Sequence, residues 1–475
     1  MAAPLPTLLE ALDDPRVWKS WFARGGASWD PWKAFLRVLT GEPLSEAEHV
    51  LFEACTGRKS PPNGPYQEAW LICGRRAGKS FILATIAVYT AIFRKWGQYL
   101  GPGERGTVLI LAADRKQART LLRYAKGLIQ GNAALRDLIE RETTEELELK
   151  NRISLEIATA SFRTTRGYTV IAALLDEVAF WRSEESANPD SEIVDAIRPA
   201  MATIPGAFLL GASSPYAKRG LLYQQFKRHF GKDHSPVLVW HAPTRVMNPS
   251  VPEQVITDAY ERDPQWASAE FGAEFRTDVE AFISREAIEV CIVPGQYELP
   301  PVEGTAYSAF VDPSGGSSDA FAIAIAHQEY STGQAVLDAV RERLPPFSPE
   351  QVAEEYSALL RRYRISQVTG DRYGGEWPRE QFRKHGIEYV PAEKPKSDLY
   401  KELLPALNSG KLDLLDIPKL LVQFCGLERR TARGGRDSID HAAGGKDDLA
   451  NAATGALVAV VSQLSGLAVW IKLAS

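Results

Sequence analysis

Residues 69–80 read Ala-Trp-Leu-Ile-Cys-Gly-Arg-Arg-Ala-Gly-Lys-Ser, a short apolar run that enters a glycine-containing turn and is followed by an apolar, helix-like stretch. The order is strand, phosphate loop, helix. A nucleoside triphosphate needs backbone N–H groups aimed at its phosphates, a helix N-terminus beneath them, a lysine on the β/γ oxygens and a hydroxyl on magnesium. Gly78, Lys79 and Ser80 supply these parts, and Gly74, Arg75, Arg76 and Ala77 make the rest of the loop. The first position of the usual G-x-x-x-x-G-K-[ST] pattern is Cys73, with Gly74 one place later. The loop is therefore a variant, and a second element has to support it.

That element is "VIAALLDEVAFW": residues 170–175 are an apolar run of the kind a doubly covered parallel strand shows, and the run ends in Asp176 and Glu177. Ligands of open α/β sheets bind at the C-terminal strand ends, which puts these carboxylates beside the phosphate loop. Asp176 is expected to hold hydrated magnesium and Glu177 to polarise the attacking water. A solvated acidic pair capping a helix at Val178 is the bland alternative.

Composition bounds the rest. The 475 residues are 45% hydrophobic and 24% charged, enough for two or three domains with substantial cores. Cys55, Cys73, Cys291 and Cys425 are far apart and form no C-x-x-C pair, which argues against a disulfide framework or structural zinc and for a reducing compartment. The N-terminus has early acids and no basic-then-apolar pattern, so it reads as non-exported. Ala452 to Leu473 is nearly uncharged but contains Ser462, Gln463 and Ser465, and reads as a helix buried on a sheet. Net charge is −5, with 34 basic and 34 acidic residues in 1–280 and 21 against 26 in 281–475. Any contact with DNA must come from local patches, such as Arg361, Arg362 and Arg364 or "ERRTARGGR" at 428–436, although a solvated face is the commoner meaning of such runs.

Residues 1–65 carry Trp-rich helical patterning and a Pro/Gly break, and read as a helical lead-in. Over 66–280, apolar runs at 69–73, 107–112, 170–175, 207–212 and 236–240 alternate with helical stretches, which predicts a mostly parallel sheet covered on both faces. "LELKNRISLEIAT" at 147–159 is expected to be an antiparallel excursion at an edge. Over 281–475 the order changes to three adjacent strands, expected to be antiparallel neighbours, then helix, strand, helix, strand and long helices. That matches the ribonuclease-H-like order.

Acidic residues stand at the turning points of this second half: Asp312 in "AFVDPSGG", Asp371 in "VTGDRYGG", and Asp447 with Asp448 in "GGKDDLANA". Carboxylates at neighbouring strand ends and on a facing helix need compensation, which hard divalent cations provide. Two such ions activate a water and stabilise the leaving oxygen of a phosphodiester. Individually these residues are common turn and N-cap acids. Asp440 and His441 in "SIDHAAGG" are weaker ligand candidates, with a solvated loop the expected reading, and Asp319 is weaker still.

The two halves together resemble the large terminase subunit of tailed bacteriophages, a DNA-packaging ATPase and nuclease. The resemblance runs from about residue 50 to 460 and rests on "GRRAGKS" at 74–80, "LLDE" at 174–177, "GASSP" at 211–215, "VDPSGG" at 311–316 and "GGKDDLANA" at 444–452. It implies an N-terminal P-loop ATPase of the ASCE type with ATP and Mg2+, then a ribonuclease-H-like nuclease using two divalent cations, Mg2+ or Mn2+. It also implies double-stranded DNA, a portal protein and a small terminase subunit as partners, a homo-oligomeric, pentameric ring when docked, and a place in the host cytoplasm, transiently at the procapsid portal. Ser213 and Ser214 would couple hydrolysis to movement. Arg76 in cis or Arg166 in trans would serve as arginine finger, and Gln67 would read adenine. Lys446 stands where a His often precedes the Asp pair, which leaves the choice between Asp447 and Asp448 open. The alternative is a helicase-nuclease of DNA repair; residues 280–475 lack the second phosphate loop that a second motor domain would carry.

Overall fold

The computed structural model describes residues 5–61, 63–159, 167–181, 186, 189–317, 319–372, 376–431, 437–442 and 444–474. The chain forms two compact units, the first ending at Thr277 and the second running from Asp278.

In the first unit, eight strands form one sheet: β1 (Glu68–Cys73), β2 (Gly106–Ala112), β3 (Ile139–Glu142), β4 (Glu146–Leu149), β5 (Ile153–Thr159), β6 (Thr169–Asp176), β7 (Phe208–Ser213) and β8 (Val237–Ala242). Their order is β3-β4-β5-β2-β6-β7-β1-β8. The six strands from β5 to β8 run parallel. Successive residues bury on opposite faces: Leu71, Ile110 and Leu174 join one core, and Trp70, Leu111 and Leu175 join the other. Covered faces on both sides explain why these strands read as continuous apolar runs rather than alternating ones. The expectation for 147–159 is half corrected. β4 pairs antiparallel with both β3 and β5, the excursion expected at this edge, whereas β5 on its other side lies parallel beside β2. The polar residues of β5 misled because Ser154 is buried against Thr107. The lead-in helices belong to this unit's core: Trp18, Trp32 and Phe35 are buried in it, and the Phe35 ring meets Trp240 edge-on at 5.5 Å.

In the second unit the strands are β9 (Val279–Ala281), β10 (Ile292–Val293), β11 (Tyr307–Asp312), β12 (Phe321–Glu329), β13 (Gln334–Arg343), β14 (Gln367–Gly370), β15 (Glu388–Pro391), β16 (Leu412–Leu415), β17 (Leu427–Thr431) and β18 (Asp437–His441). The main sheet has the order β10-β16-β13-β12-β11-β14-β15, and β18-β17-β9 form a small second sheet. β11, β12 and β13 are antiparallel neighbours, and β14 and β15 continue parallel to β11. Counted from β11, the central order is 3-2-1-4-5, the ribonuclease-H-like arrangement expected from the sequence. The helix Asp448–Ala474 covers one face, burying Leu449, Ala453 and Leu457 against Ala324 and Leu337. A Cβ on Gly455 would lie 2.1 Å from the Phe310 ring, so only glycine lets this helix approach β11 so closely. Among the described residues no helix is long and apolar enough to cross a membrane.

Candidate functional site

The first unit's site lies at the C-terminal ends of β1, β6 and β7. Cys73 is the last residue of β1 and fully buried, with its thiol pushed up to about 12 by burial. The first pattern position is thus a strand residue, which explains why it need not be glycine. The glycine is required one place later: a Cβ on Gly74 would lie 2.2 Å from Thr244 Oγ1. Gly78 has φ +107°, and the helix Lys79–Phe93 starts directly after it. Three side chains outside the motif grip the loop's carbonyls. The Trp32 indole donates to Ala77 O at 2.9 Å, Thr244 Oγ1 to Arg75 O at 2.8 Å and Asn248 Nδ2 to Arg76 O at 2.8 Å.

The Lys79 ammonium, 5% exposed, donates to Cys73 O at 2.9 Å, Gly74 O at 3.3 Å and Ser214 Oγ at 3.0 Å, and stands 3.6 Å from Glu177 Oε1. Ser80 Oγ donates to Asp176 Oδ2 at 3.1 Å. The other Asp176 oxygen, Oδ1, is buried without a partner. Burial and then the neighbouring Glu177 charge push the Asp176 carboxyl up to about 7, against the pull of Lys79 and Ser80. A hydroxyl and an orphaned carboxylate oxygen side by side fit a hydrated magnesium ion. Glu177 Oε2 accepts from Ser213 Oγ at 3.1 Å and from Ser214 N at 3.2 Å. Arg76 (φ +65°) and Glu177 (φ +52°) are left-handed non-glycine residues, a conformation that costs of order 1–2 kcal/mol and gathers at functional sites.

The structure therefore brings together Gly74, Arg75, Arg76, Ala77, Gly78, Lys79, Ser80, Asp176, Glu177, Ser213 and Ser214. It does not bring Gln67 to them. Gln67 precedes the six-residue β1 at the end remote from the loop, about 20 Å away at some 3.3 Å per residue. That position gives the adenine reading of Gln67 no support. Arg166 lies outside the described residues. Trp32, Thr244 and Asn248 escaped sequence reasoning because their sequence distance from the loop gives no local signal.

The second unit's site lies where β11 and β14 end. Asp312 closes β11, and the Asp371 N–H extends the ladder to Val311 O at 3.2 Å. Gly370 keeps the strands close, since a Cβ there would lie 2.5 Å from Tyr389 OH and 2.6 Å from Val311 Cγ2. Asn451 stands one helical turn before Gly455, on the helix face that meets the sheet. Its Nδ2 donates to Asp312 Oδ2 and to Asp371 Oδ2, each at 2.8 Å, while its Oδ1 is buried without a partner. Burial, then Asp371 and the Asp448 and Asp447 charges, raise Asp312 well above the usual carboxylate range, with Asn451 opposing. Burial likewise raises Asp371. Asp448 is pushed up to about 6 by burial and by Asp447. Carboxylates this crowded, with one amide to bridge them, fit divalent cations.

Asp447 is held differently. It accepts from Tyr400 OH at 3.0 Å and from Lys396 Nζ at 3.1 Å, and the same ammonium donates to Asp440 Oδ1 at 2.7 Å. One ligand atom from each of Asp440, His441 and Asp447 lies within 4.8 Å of the others. The solvated-loop reading of Asp440 is corrected: it sits on β18, part-buried and paired with Lys396. Asp319 forms an ion pair with Lys446. In the proposed basic patches, Arg364 pairs with Glu303, Arg429 with Asp437 and Arg430 with Glu428, while 432–436 lie outside the described residues. Asn451 was within reach of sequence reasoning, at i+4 and i+3 from the two aspartates of "GGKDDLANA". Lys396 and Tyr400 carried no such signal.

No protein-family model and no curated protein matches the chain. Among solved structures it is similar to the HK97 bacteriophage large terminase, at 18% identity and TM-score 0.37 over 83% of this chain and 91% of that one. The large terminase from a thermophilic bacteriophage, solved in complex with ADP, is similar at 13% identity and TM-score 0.38, over 90% and 99%. The large terminase nuclease from thermophilic phage G20c with bound magnesium is similar at 17% identity and TM-score 0.33, over 38% and 98%. With TM-scores this low, what the sites can do rests on their own residues and distances.

Proposed function

We propose that the chain is the motor subunit of a viral DNA-packaging machine, a large terminase. In this reading residues 66–280 hydrolyse ATP to drive double-stranded DNA into a procapsid, and residues 281–475 cut concatemeric DNA. The observation that carries it is the Asn451 bridge: Asp312 and Asp371 converge on one amide, with Asp448 near enough to raise Asp312, in the same chain as a Lys79–Glu177–Ser214 phosphate-loop constellation.

In the motor, Lys79 exchanges the Cys73 and Gly74 carbonyls for β/γ-phosphate oxygens, as a lysine at the end of a phosphate loop does. Ser80 and Asp176 are the residues that would hold magnesium, which when bound would shield the phosphate charge. Glu177, oriented by Ser213 Oγ and Ser214 N–H, takes the proton of the attacking water. Because these two donors come from the end of β7, the state of Glu177 is tied to the position of that strand end, which supports the coupling role of Ser213 and Ser214. Arg76 on the loop, or Arg166 from a neighbouring copy, neutralises developing charge.

In the nuclease, Asp312, Asp371 and the Asp447–Asp448 pair are the carboxylates from which Mg2+ or Mn2+ ions would be held, and bound ions there lower the pKa of water and stabilise the leaving oxygen. Asn451 keeps Asp312 and Asp371 aligned. Double-stranded DNA is the substrate of both halves; a portal protein, a small subunit and a pentameric ring complete the assembly in the host cytoplasm. ATPase, plasmid-cleavage and strand-unwinding assays on one preparation test the reading. Hydrolysis with metal-dependent cutting and no unwinding is expected, and unwinding would favour the helicase-nuclease alternative.

A further inference from the structure

In the second unit Asp312, Asp371, Asp447 and Asp448 crowd together, with Asp440 beside Asp447, and the Lys396 ammonium is seated between Asp440 and Asp447, while Lys446 pairs with Asp319. Lys396 is the first residue of the helix Lys396–Asn408, and Tyr400 stands one turn later on the same face. Both reach Asp447, at 3.1 Å and 3.0 Å, and Lys396 also reaches Asp440 at 2.7 Å. The helix is pinned to β18 by two further bonds, Ile439 N to Ser397 Oγ at 2.9 Å and Lys401 Nζ to Asp437 O at 2.9 Å. Asp447 is 5% exposed, so its charge needs a fixed partner, and Lys396 with Tyr400 is that partner. Among the described residues, no ammonium or guanidinium group bonds Asp312 or Asp371, whose Oδ2 atoms share the neutral Asn451 amide.

We propose that Lys396 is a positioning residue whose ammonium takes the cation's place between Asp440 and Asp447, which holds Asp447 off the metal and leaves Asp448 as the third metal-binding carboxylate beside Asp312 and Asp371. The assignment rests on the nuclease reading and deepens it. It decides between the adjacent aspartates by what Asp447 already touches, the Lys396 ammonium and the Tyr400 hydroxyl. Adjacent residues at a helix start point about 100° apart, so one can face Lys396 while the other faces the strand ends. It also explains why a His beside two aspartates, with ligand atoms within 4.8 Å of one another, need not take up an ion: the place is filled from within the fold.

The test counts Mn2+ bound to the nucleotide-free full chain, from the free-ion signal in electron paramagnetic resonance. Lys396→Met should take up one more Mn2+ than wild type, Lys396→Arg the same number as wild type, and Lys396→Met/Asp440→Asn should lose the extra ion. In chains that keep Lys396, Asp448→Asn should weaken Mn2+ binding at least tenfold, and Asp440→Asn should leave it unchanged. Equal uptake by folded Lys396→Met and wild type overturns the inference. If Lys396→Met does not fold, the other pair decides: weaker Mn2+ binding in Asp440→Asn, or unchanged binding in Asp448→Asn, overturns it. A wild-type chain that binds no Mn2+ overturns the nuclease reading itself, which separates the two failures.

Discussion

Carboxylates gather at strand ends in both units, but their positive charges are placed differently. At the end of β6, Lys79 lies within the site, on two loop carbonyls and Ser214 and 3.6 Å from Glu177. At the ends of β11 and β14 the lysine stands to one side, on Asp440 and Asp447, and the Asp312–Asp371 pair is bridged by an uncharged amide. The first arrangement keeps a fixed cation ready for an anion and one carboxylate ready for a metal. The second leaves negative charge unpaired, which suits a site that binds cations before it binds a phosphodiester. Placement of one ammonium group thus separates two sites that composition alone would make look alike.

The largest effects test whether the sites are independent. Lys79→Ala should reduce ATP turnover to background and leave metal-dependent cutting of free DNA within about twofold, because every contact of the lysine lies within the first unit's phosphate site. Glu177→Gln should keep ATP binding and stall hydrolysis. Asp312→Ala or Asp371→Ala should reverse the pattern, with cleavage lost and ATPase near wild type. Paired ATPase and plasmid-cleavage assays check this, and a variant that loses both activities while folded would break the comparison.

Next is the arginine that completes the motor. A finger contributes on the order of 10³–10⁵ in rate. If Arg166 acts in trans, isolated chains hydrolyse ATP poorly, and mixing Arg166→Ala with Glu177→Gln chains under assembling conditions recovers part of the activity. No recovery in proven mixed rings assigns the role to Arg76 in cis.

Smaller effects sharpen the contrast between the two kinds of support. Ser213→Ala removes a hydrogen bond to a carboxylate, worth about 1.5–3 kcal/mol, and should lower kcat for ATP roughly 10- to 100-fold with little change in nucleotide affinity. Asn451→Ala should weaken Mn2+ binding in the second unit by about 10- to 100-fold, as loss of a residue orienting metal-binding carboxylates does. Isothermal titration measures both affinities. The smallest effect is a stability difference. Asp448 rises from 3.8 unfolded to about 6 folded, so the folded state binds more protons between these values and metal-free stability falls as pH rises through that window. Melting curves without metal should show Asp448→Asn gaining on wild type from about pH 4 to above pH 6, and divalent cations should remove the advantage by stabilising wild type.

Wherever the chemistry is local, it was legible in the sequence. Gly78-Lys79-Ser80 can only work at a strand-to-helix turn, so the motif and its fold imply each other. Asp176 and Glu177 end an apolar run long enough to be a buried parallel strand, Asp312 ends a second strand, and Asp371 follows the short strand "QVTG". The order of strands and helices after Asp312 was enough for the 3-2-1-4-5 sheet, because short connections leave few right-handed alternatives. The antiparallel reading of 147–159 went half astray because a polar strand can still lie inside a sheet when its hydroxyls pair with a neighbour.

Tertiary structure decided which residues meet across long sequence distances. Trp32 is 45 residues from Ala77, Thr244 is 169 from Arg75, and Asn451 is 139 from Asp312 and 80 from Asp371. No periodicity encodes such meetings; they follow from helices packing on sheets at positions set by small residues, Gly74 and Gly455 among them. The same holds for charge. Four acids in "VDPSGG", "TGDRYGG" and "KDDLANA" are equivalent as letters, and only the fold distinguishes Asp447, facing Lys396 and Tyr400, from Asp448, and removes Gln67 to the far end of β1. Sequence specifies which groups can do chemistry because that depends on the side chain itself. Structure specifies which of them share a site because electrostatic and hydrogen-bond energies fall off within a few ångströms.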